Sequence, residues 1–300
     1  FDKSVFSINS ITQDYISQVI SRVAVPVYFF ISGYLFFTNL DSLKDWKLKV
    51  GRRIKTLLVP YLIWNLGYGL LLLFTPNSSI KFSNDINFIE NFIQLSKQIF
   101  ISPAINPFWF IRDLIILQLF SFLYLILKKE LRVCLLVLYA GLFLYEYTVP
   151  FSFLSSEGIL FFSLGALKIL PINSFNKEKK WKIILIMIIS FLNLLNHLLV
   201  LKYEFLLHRI CIFSMALLFV SLFLNNNSLK INISEKIQNL SFYVFALHFP
   251  IIQILNKALH WNHLTGYFLS FFFSLSISLL IGYFLSKFRF ISGLLTGNRL

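Results

Sequence analysis

Apolar stretches in this chain run far past the length of a core strand or a core helix. Ile183 to Leu201 is one, interrupted only by Ser190, Asn193, Asn196 and His197. A helix needs about 20 mostly apolar residues to cross a bilayer, and this segment supplies them. Lipid offers no partner to backbone N–H and C=O groups, so each run must close its own hydrogen bonds as a helix; the runs are too long for barrel strands. The expected fold is all-α, a polytopic transmembrane helical bundle.

Charge confirms how little of the chain is left for water. Only 13% of the 300 residues are charged, against about a quarter in a soluble domain of this length. A single integral membrane domain over 1–300 is therefore expected, without a soluble domain of useful size. Nine apolar spans can be read, at roughly 19–38, 56–74, 108–127, 133–149, 151–170, 183–201, 205–224, 240–257 and 266–286. The fourth and fifth are split only by Pro150.

Lys and Arg concentrate in cytoplasmic loops, and here they fall on alternate connections. One set holds Lys44, Lys47, Lys49, Arg52, Arg53 and Lys55; Lys128, Lys129 and Arg132; Lys177, Lys179, Lys180 and Lys182; Lys230 and Lys236; and Lys287, Arg289 and Arg299 in the tail. The intervening connections hold Lys81, Lys97, Lys202 and Lys257. This places the C-terminus in the cytoplasm and Phe1 outside. Because no signal peptide precedes Phe1, the topology predicts a further helix upstream, ten in all, with this chain a truncated or processed form; the alternative is a nine-helix protein with its N-terminus outside.

The net charge of +14 does not point to nucleic acid, because the charges sit in short connections and form no aromatic-basic soluble face. Cys134 and Cys211 lie inside apolar segments, which supports neither a disulfide framework nor a metal site; buried, inert thiols are expected. Thr75 to Pro107 is the longest polar stretch. Within it Ile86, Phe88, Ile89, Phe92, Ile93 and Leu95 recur at helical spacing, as in a helix lying on the outer surface or packed on the bundle. Asp41 to Lys55 reads as a basic amphipathic segment on the inner face.

Ionisable side chains inside spans are costly and are functional candidates by default. They are Arg22, Arg112, Asp113, Glu146, Glu157, His197, His208, Arg209 and His248. Arg22, Arg112, Asp113, Glu157, His208 and Arg209 fall in the outer thirds of their spans and could line one outward cavity, with His248 deeper. Three arginines there would suit an anionic or hydroxyl-rich ligand, since guanidinium offers a fork of donors at fixed charge. Each has a bland alternative. Arg22 can snorkel to headgroups, Arg112 and Asp113 project about 100° apart and need not pair with each other, and His208 can make a packing hydrogen bond. His248, two positions before Pro250, can act as acid or base near neutrality.

Four segments resemble the acyltransferase family 3 membrane proteins. Arg22-Val-Ala-Val-Pro-Val-Tyr-Phe-Phe-Ile-Ser-Gly-Tyr-Leu35 is similar to that family's second-helix signature. Arg52-Arg-Ile-Lys-Thr-Leu-Leu-Val-Pro-Tyr-Leu-Ile-Trp64 resembles its basic entry to the third helix. Pro107-Phe-Trp-Phe-Ile-Arg-Asp-Leu114 and Ser241 to Pro250 resemble its Trp-Phe-Leu and Ser…Tyr…His-x-Pro blocks. They occur in family order across nearly the whole chain.

The resemblance implies a ten-helix fold that takes an acyl group, usually acetyl, from cytoplasmic acyl-CoA (acetyl-CoA) as co-substrate. No cofactor is bound permanently. The acceptor is a hydroxyl of a glycan or lipid-linked sugar at a bacterial cytoplasmic membrane. Arg52, Arg53 and Lys55 would contact CoA phosphates, with Lys55 standing where the family often has arginine. His248, Arg22 and Glu157 would serve catalysis, and Arg112, Asp113, Trp109, His208 and Arg209 would bind substrate. The family's first helix carries an arginine and a presumed catalytic histidine, and neither occurs in this chain, which as given is expected to be inactive. Partners are membrane lipid and the saccharide. The rival is a transporter or flippase for a lipid-linked saccharide, which should show internal two-fold symmetry; no repeat is visible.

Overall fold

The computed structural model describes residues 8–73, 101, 103–145, 154–168, 179–199, 204–224, 235–259 and 264–297. Every regular element among them is helical. The elements are α1 (Ile8–Asp14), α2 (Ala24–Phe36), α3 (Leu43–Arg53), α4 (Val59–Leu73), α5 (Trp109–Phe120), α6 (Leu123–Ile126), α7 (Lys129–Tyr145), α8 (Ser156–Ala166), α9 (Lys179–Leu199), α10 (Glu204–Leu224), α11 (Glu235–Leu259), α12 (Leu264–Ser286) and α13 (Arg289–Thr296). Among the described residues, six helical stretches are long and apolar enough to cross a membrane: Ile11–Phe36, Leu43–Leu71, Asn106–Ile126, Glu204–Leu222, Leu240–Leu259 and Leu264–Ser286. The other three expected spans coincide with α7, α8 and α9. Glu146, the junction at Pro150 and most of the polar stretch from Thr75 lie outside the described residues.

The chain divides into two compact units, the first of Phe1–Trp46 and Leu117–Asn232, the second of Lys47–Ile116 and Ile233–Leu300. In the first unit α1 leads through a π-helical turn (Tyr15–Ile20) and a 3-10 turn (Ser21–Val23) into α2. α2 packs closely along α8, and α7, α9 and α10 complete the unit. Its core is aromatic: Phe29, Phe30, Phe36, Phe143, Phe161 and Phe162 are almost wholly buried. Phe143 meets Phe161 edge to face at 5.8 Å, and Phe161 lies 5.6 Å from Phe213. Past Phe120 the helix breaks at Ser121 and Phe122 before α6. The Trp46 indole N–H donates there to Ser121 Oγ (3.0 Å) and to the Gln118 carbonyl (3.3 Å).

In the second unit α3 runs through another π-helical turn (Ile54–Leu58) into α4. α11 and α12 pack along each other's length. α12 turns Gly266, Ser270, Ser274, Ser278 and Gly282 inward; small residues let membrane helices approach closely. A methyl group on Gly282 would stand 2.9 Å from Tyr243 Cβ. α13 packs on α4 and α12, with the Trp64 indole N–H donating to the Leu295 carbonyl at 3.0 Å.

One expectation fails at Cys134, which is exposed, while Cys211 is half-buried. Val133, Val137 and Leu138 beside Cys134 are exposed as well. That stretch is apolar because it faces outward from the protein, not because it fills a core.

Candidate functional site

Three of the four family-like segments meet in the second unit through one aromatic ring from each. Tyr61, from the Arg52–Trp64 segment, stacks on Phe108 with ring centres 6.0 Å apart and planes 28° from parallel. Phe108, from the Pro107–Leu114 segment, stacks on Phe245 at 5.5 Å and 14°. Phe245 belongs to the Ser241–Pro250 segment, and its ring centre lies 6.3 Å from that of His248. Offset-stacked rings contribute about 0.5–1.5 kcal/mol beyond the area they bury, so this column is a rigid link between segments far apart in sequence. Asn65, one turn beyond Tyr61, is buried. Its amide donates to the Tyr61 carbonyl (2.9 Å), and its oxygen accepts the Ile105 N–H (3.4 Å).

His248 stands at the end of this column on α11, half-buried. Its Nδ1 is 3.0 Å from the Val244 carbonyl. A carbonyl only accepts, so Nδ1 carries a proton. No described residue hydrogen-bonds Nε2. Pro250 lies inside α11 and has no N–H to give the Ala246 carbonyl one turn back. The segment thus presents a ring nitrogen able to take a proton beside loosened helical backbone.

Arg112 and Asp113 do pair, although neighbours on a helix point apart. The guanidinium folds back so that Nε (2.9 Å) and Nη2 (2.7 Å) both reach Asp113 Oδ1, and Nη1 donates to the Ile101 carbonyl. Asp113 is fully buried and the Arg112 side chain is 11% exposed. Much of Arg112's donor capacity is therefore spent holding Asp113 and the 101–105 segment. Trp109, half-buried, opens α5 behind the 3-10 turn Asn106–Phe108, which has Pro107 as its second residue.

Arg52 and Arg53 end α3, and Lys55 lies in the π-helical turn that follows; all three are exposed. Arg22 lies just past the other π-helical turn, in the first unit. π-Turns concentrate at functional sites because one extra residue per turn re-aims the side chains around it. Both described π-turns fall at or beside family-like segments.

The first unit holds the remaining candidates. Its first helix starts at Ile8, earlier than the apolar run, so Arg22 stands near the middle of that helix rather than close to its end. Arg22 is exposed, with Nε 3.4 Å from Gln18 Oε1. Glu157 is shallower than the apolar pattern suggests. α8 begins at Ser156, because the Ser155 hydroxyl caps it by accepting the Gly158 N–H at 3.0 Å. A carboxylate in the first turn is favoured there by the helix dipole. His208 Nδ1 lies 3.0 Å from Asn193 Oδ1, joining α10 to α9. The Arg209 guanidinium stands over the rings of Phe143 (4.7 Å) and Phe205 (4.9 Å).

The sets are thus Arg22, Glu157, His208 and Arg209 in one unit and Arg52, Arg53, Lys55, Trp109, Arg112, Asp113 and His248 in the other. Reasoning from charged residues alone missed Tyr61, Phe108 and Phe245, whose signal was one aromatic in each family-like segment. It also missed Asn65 and Asn193, whose signal was an amide within an apolar run.

Long apolar helices with buried ionisable residues define a multi-pass membrane protein. A family model for an acyltransferase domain matches residues 1–287. The chain belongs to acyltransferase family 3 and is a membrane acyltransferase. No significant match is found among curated proteins or solved structures.

Proposed function

We propose that this membrane acyltransferase moves an acyl group, acetyl in the simplest case, from cytoplasmic acyl-CoA to a hydroxyl of a cell-envelope saccharide in a bacterial cytoplasmic membrane. The observation that carries the reading is the column Tyr61–Phe108–Phe245–His248, which joins three family-like segments and ends on a histidine whose Nε2 no described residue hydrogen-bonds. In the proposed step the acceptor oxygen attacks the thioester carbonyl carbon. The C–O bond forms, the C–S bond breaks, and the hydroxyl proton passes by way of His248 Nε2 to the departing thiolate. Arginine donors stabilise the developing oxyanion. Arg52, Arg53 and Lys55 take the CoA phosphates, with Trp109 contributing to the acceptor's surroundings.

The test is base-labile acetate on envelope glycans in cells with and without the complete gene. Acetate that disappears with the gene and returns on complementation supports the reading. Unchanged acetate with loss of surface glycan replaces it with transport of a lipid-linked saccharide.

A further inference from the structure

The C-terminal helix α13 is built inside out by the standards of a soluble protein. Its inward residues are Ser292 and Thr296, with 1% and 0% exposure, whereas Phe290 is 80% exposed. Phe288, Ile291 and Leu294 are exposed beside it. The hydroxyls are satisfied inward. Ser292 Oγ is 2.8 Å from the Tyr243 hydroxyl, and Thr296 Oγ1 donates to the Ser292 carbonyl at 2.7 Å. α12 shows the same inversion, with its glycines and serines inside and Phe268, Phe271, Phe272, Phe273 and Phe284 outside.

A surface that buries hydroxyls and displays phenyl rings is matched to an apolar medium. On α12, long enough to span a bilayer, that medium is lipid. The pattern continues into α13, which has 8 residues, about 12 Å of helix, and cannot span. Helices of this kind lie along the membrane surface with the apolar face at the acyl-chain boundary. The far end of α13 is fixed by Gly297, which adopts φ 71° and packs on the Thr56 backbone so closely that a methyl group there would stand 2.6 Å from Thr56 Cα.

Charge completes the pattern. Lys287 and Arg289 flank the start of α13, both exposed. The Lys287 ammonium lies 5.0 and 5.3 Å from the Tyr283 and Phe284 ring centres, at the level where α12 ends. Arg52, Arg53 and Lys55 are exposed on the segment that α13's other end touches.

We propose that α13 lies in the plane of the membrane surface and forms, with Lys287 and Arg289, a binding surface for anionic phospholipid. The acyl chains cover Phe288, Phe290, Ile291 and Leu294, and the two cations hold the headgroup phosphates. This holds whatever group the protein transfers.

Two measurements on the full chain in vesicles test it. A spin label at Phe290→Cys, with Cys134 and Cys211 replaced by serine, is expected to relax more with dissolved oxygen than with a water-soluble nickel chelate. The reverse order would put α13 in water and overturn the proposal. Spin-labelled phosphatidylglycerol and phosphatidylcholine, each added to the native protein, report headgroup preference without labelling the chain. The anionic phosphatidylglycerol is expected to associate more strongly, and Lys287→Gln/Arg289→Gln to lose about fivefold of that preference per charge removed. A preference absent from the native protein, or unchanged in the double variant, would remove the anionic site.

Discussion

Gly33 on α2 and Gly165 on α8 lie beneath each other's helix. A methyl group on Gly33 would collide with the Phe162 carbonyl oxygen and come within 3.0 Å of its carbon. One on Gly165 would collide with the Phe30 carbonyl oxygen and come within 2.8 Å of the Tyr34 nitrogen. The obstructing atoms are backbone, so no side-chain rotation relieves them. Gly33→Ala and Gly165→Ala are each expected to destabilise the protein by at least roughly 1–3 kcal/mol, the usual cost of overpacking. Gly67→Ala and Gly141→Ala meet nothing within 4 Å and serve as controls, with stability unchanged or slightly raised because alanine is the better helix former. Thermal unfolding in detergent decides; equal midpoints for all four variants would mean that the α2–α8 crossing is looser than the contacts indicate.

The histidine at the end of the aromatic column can be separated from its packing role. His248→Gln keeps an amide donor near the Val244 carbonyl but has no basic nitrogen, so it should fold normally and lose nearly all transferase activity. Phe245→Leu keeps an apolar side chain and loses the stacking with Phe108, and a two- to tenfold fall in kcat is expected from about 0.5–1.5 kcal/mol of lost aromatic interaction. Activity of His248→Gln within a few-fold of the native protein would remove His248 from the proton path.

Arg112 and Asp113 should respond unequally to substitution. Arg112→Ala takes the ion-pair partner from a fully buried carboxylate, a change costing about 3–5 kcal/mol. Asp113→Asn leaves Arg112 its bond to the Ile101 carbonyl and an acceptor in the amide oxygen, so its cost should be smaller. Adding Asp113→Asn to Arg112→Ala should recover part of the loss. Chemical denaturation of the single and double variants gives the coupling, and strictly additive effects would show that the pair does not act as a unit.

Helices were legible in the sequence because in lipid an apolar run has no other way to satisfy its backbone. Which way each helix faces was not, since outward residues are as apolar as inward ones. Phe36 is buried and Phe290 exposed, yet both sit in apolar runs, and Cys134 was misjudged for the same reason. The better guide is the small polar residue: Ser270, Ser274 and Ser278 mark the inward face of α12 at helical spacing. Depth was misjudged where a local cap overrode the apolar pattern, as Ser155 does for Glu157. The family-like segments were legible one by one, but that Tyr61, Phe108 and Phe245 stack depends on tertiary packing between residues far apart in the chain.

The bond between His208 and Asn193 distinguishes a substrate-binding histidine from a packing one. Asn193 is fully buried, and its Nδ2 has no hydrogen-bond partner among the described residues. Taking the His208 ring away leaves a buried amide oxygen without this partner at about 1–3 kcal/mol, whereas replacing both residues by apolar groups of similar shape can be nearly neutral. His208→Leu and Asn193→Leu should each destabilise the protein, and the double variant should recover most of that stability. If the double variant is stable and fully active, His208 holds α9 to α10 and does nothing more. If it is stable but its KM for the acceptor rises, His208 belongs to the acceptor site, with Asn193 orienting its ring.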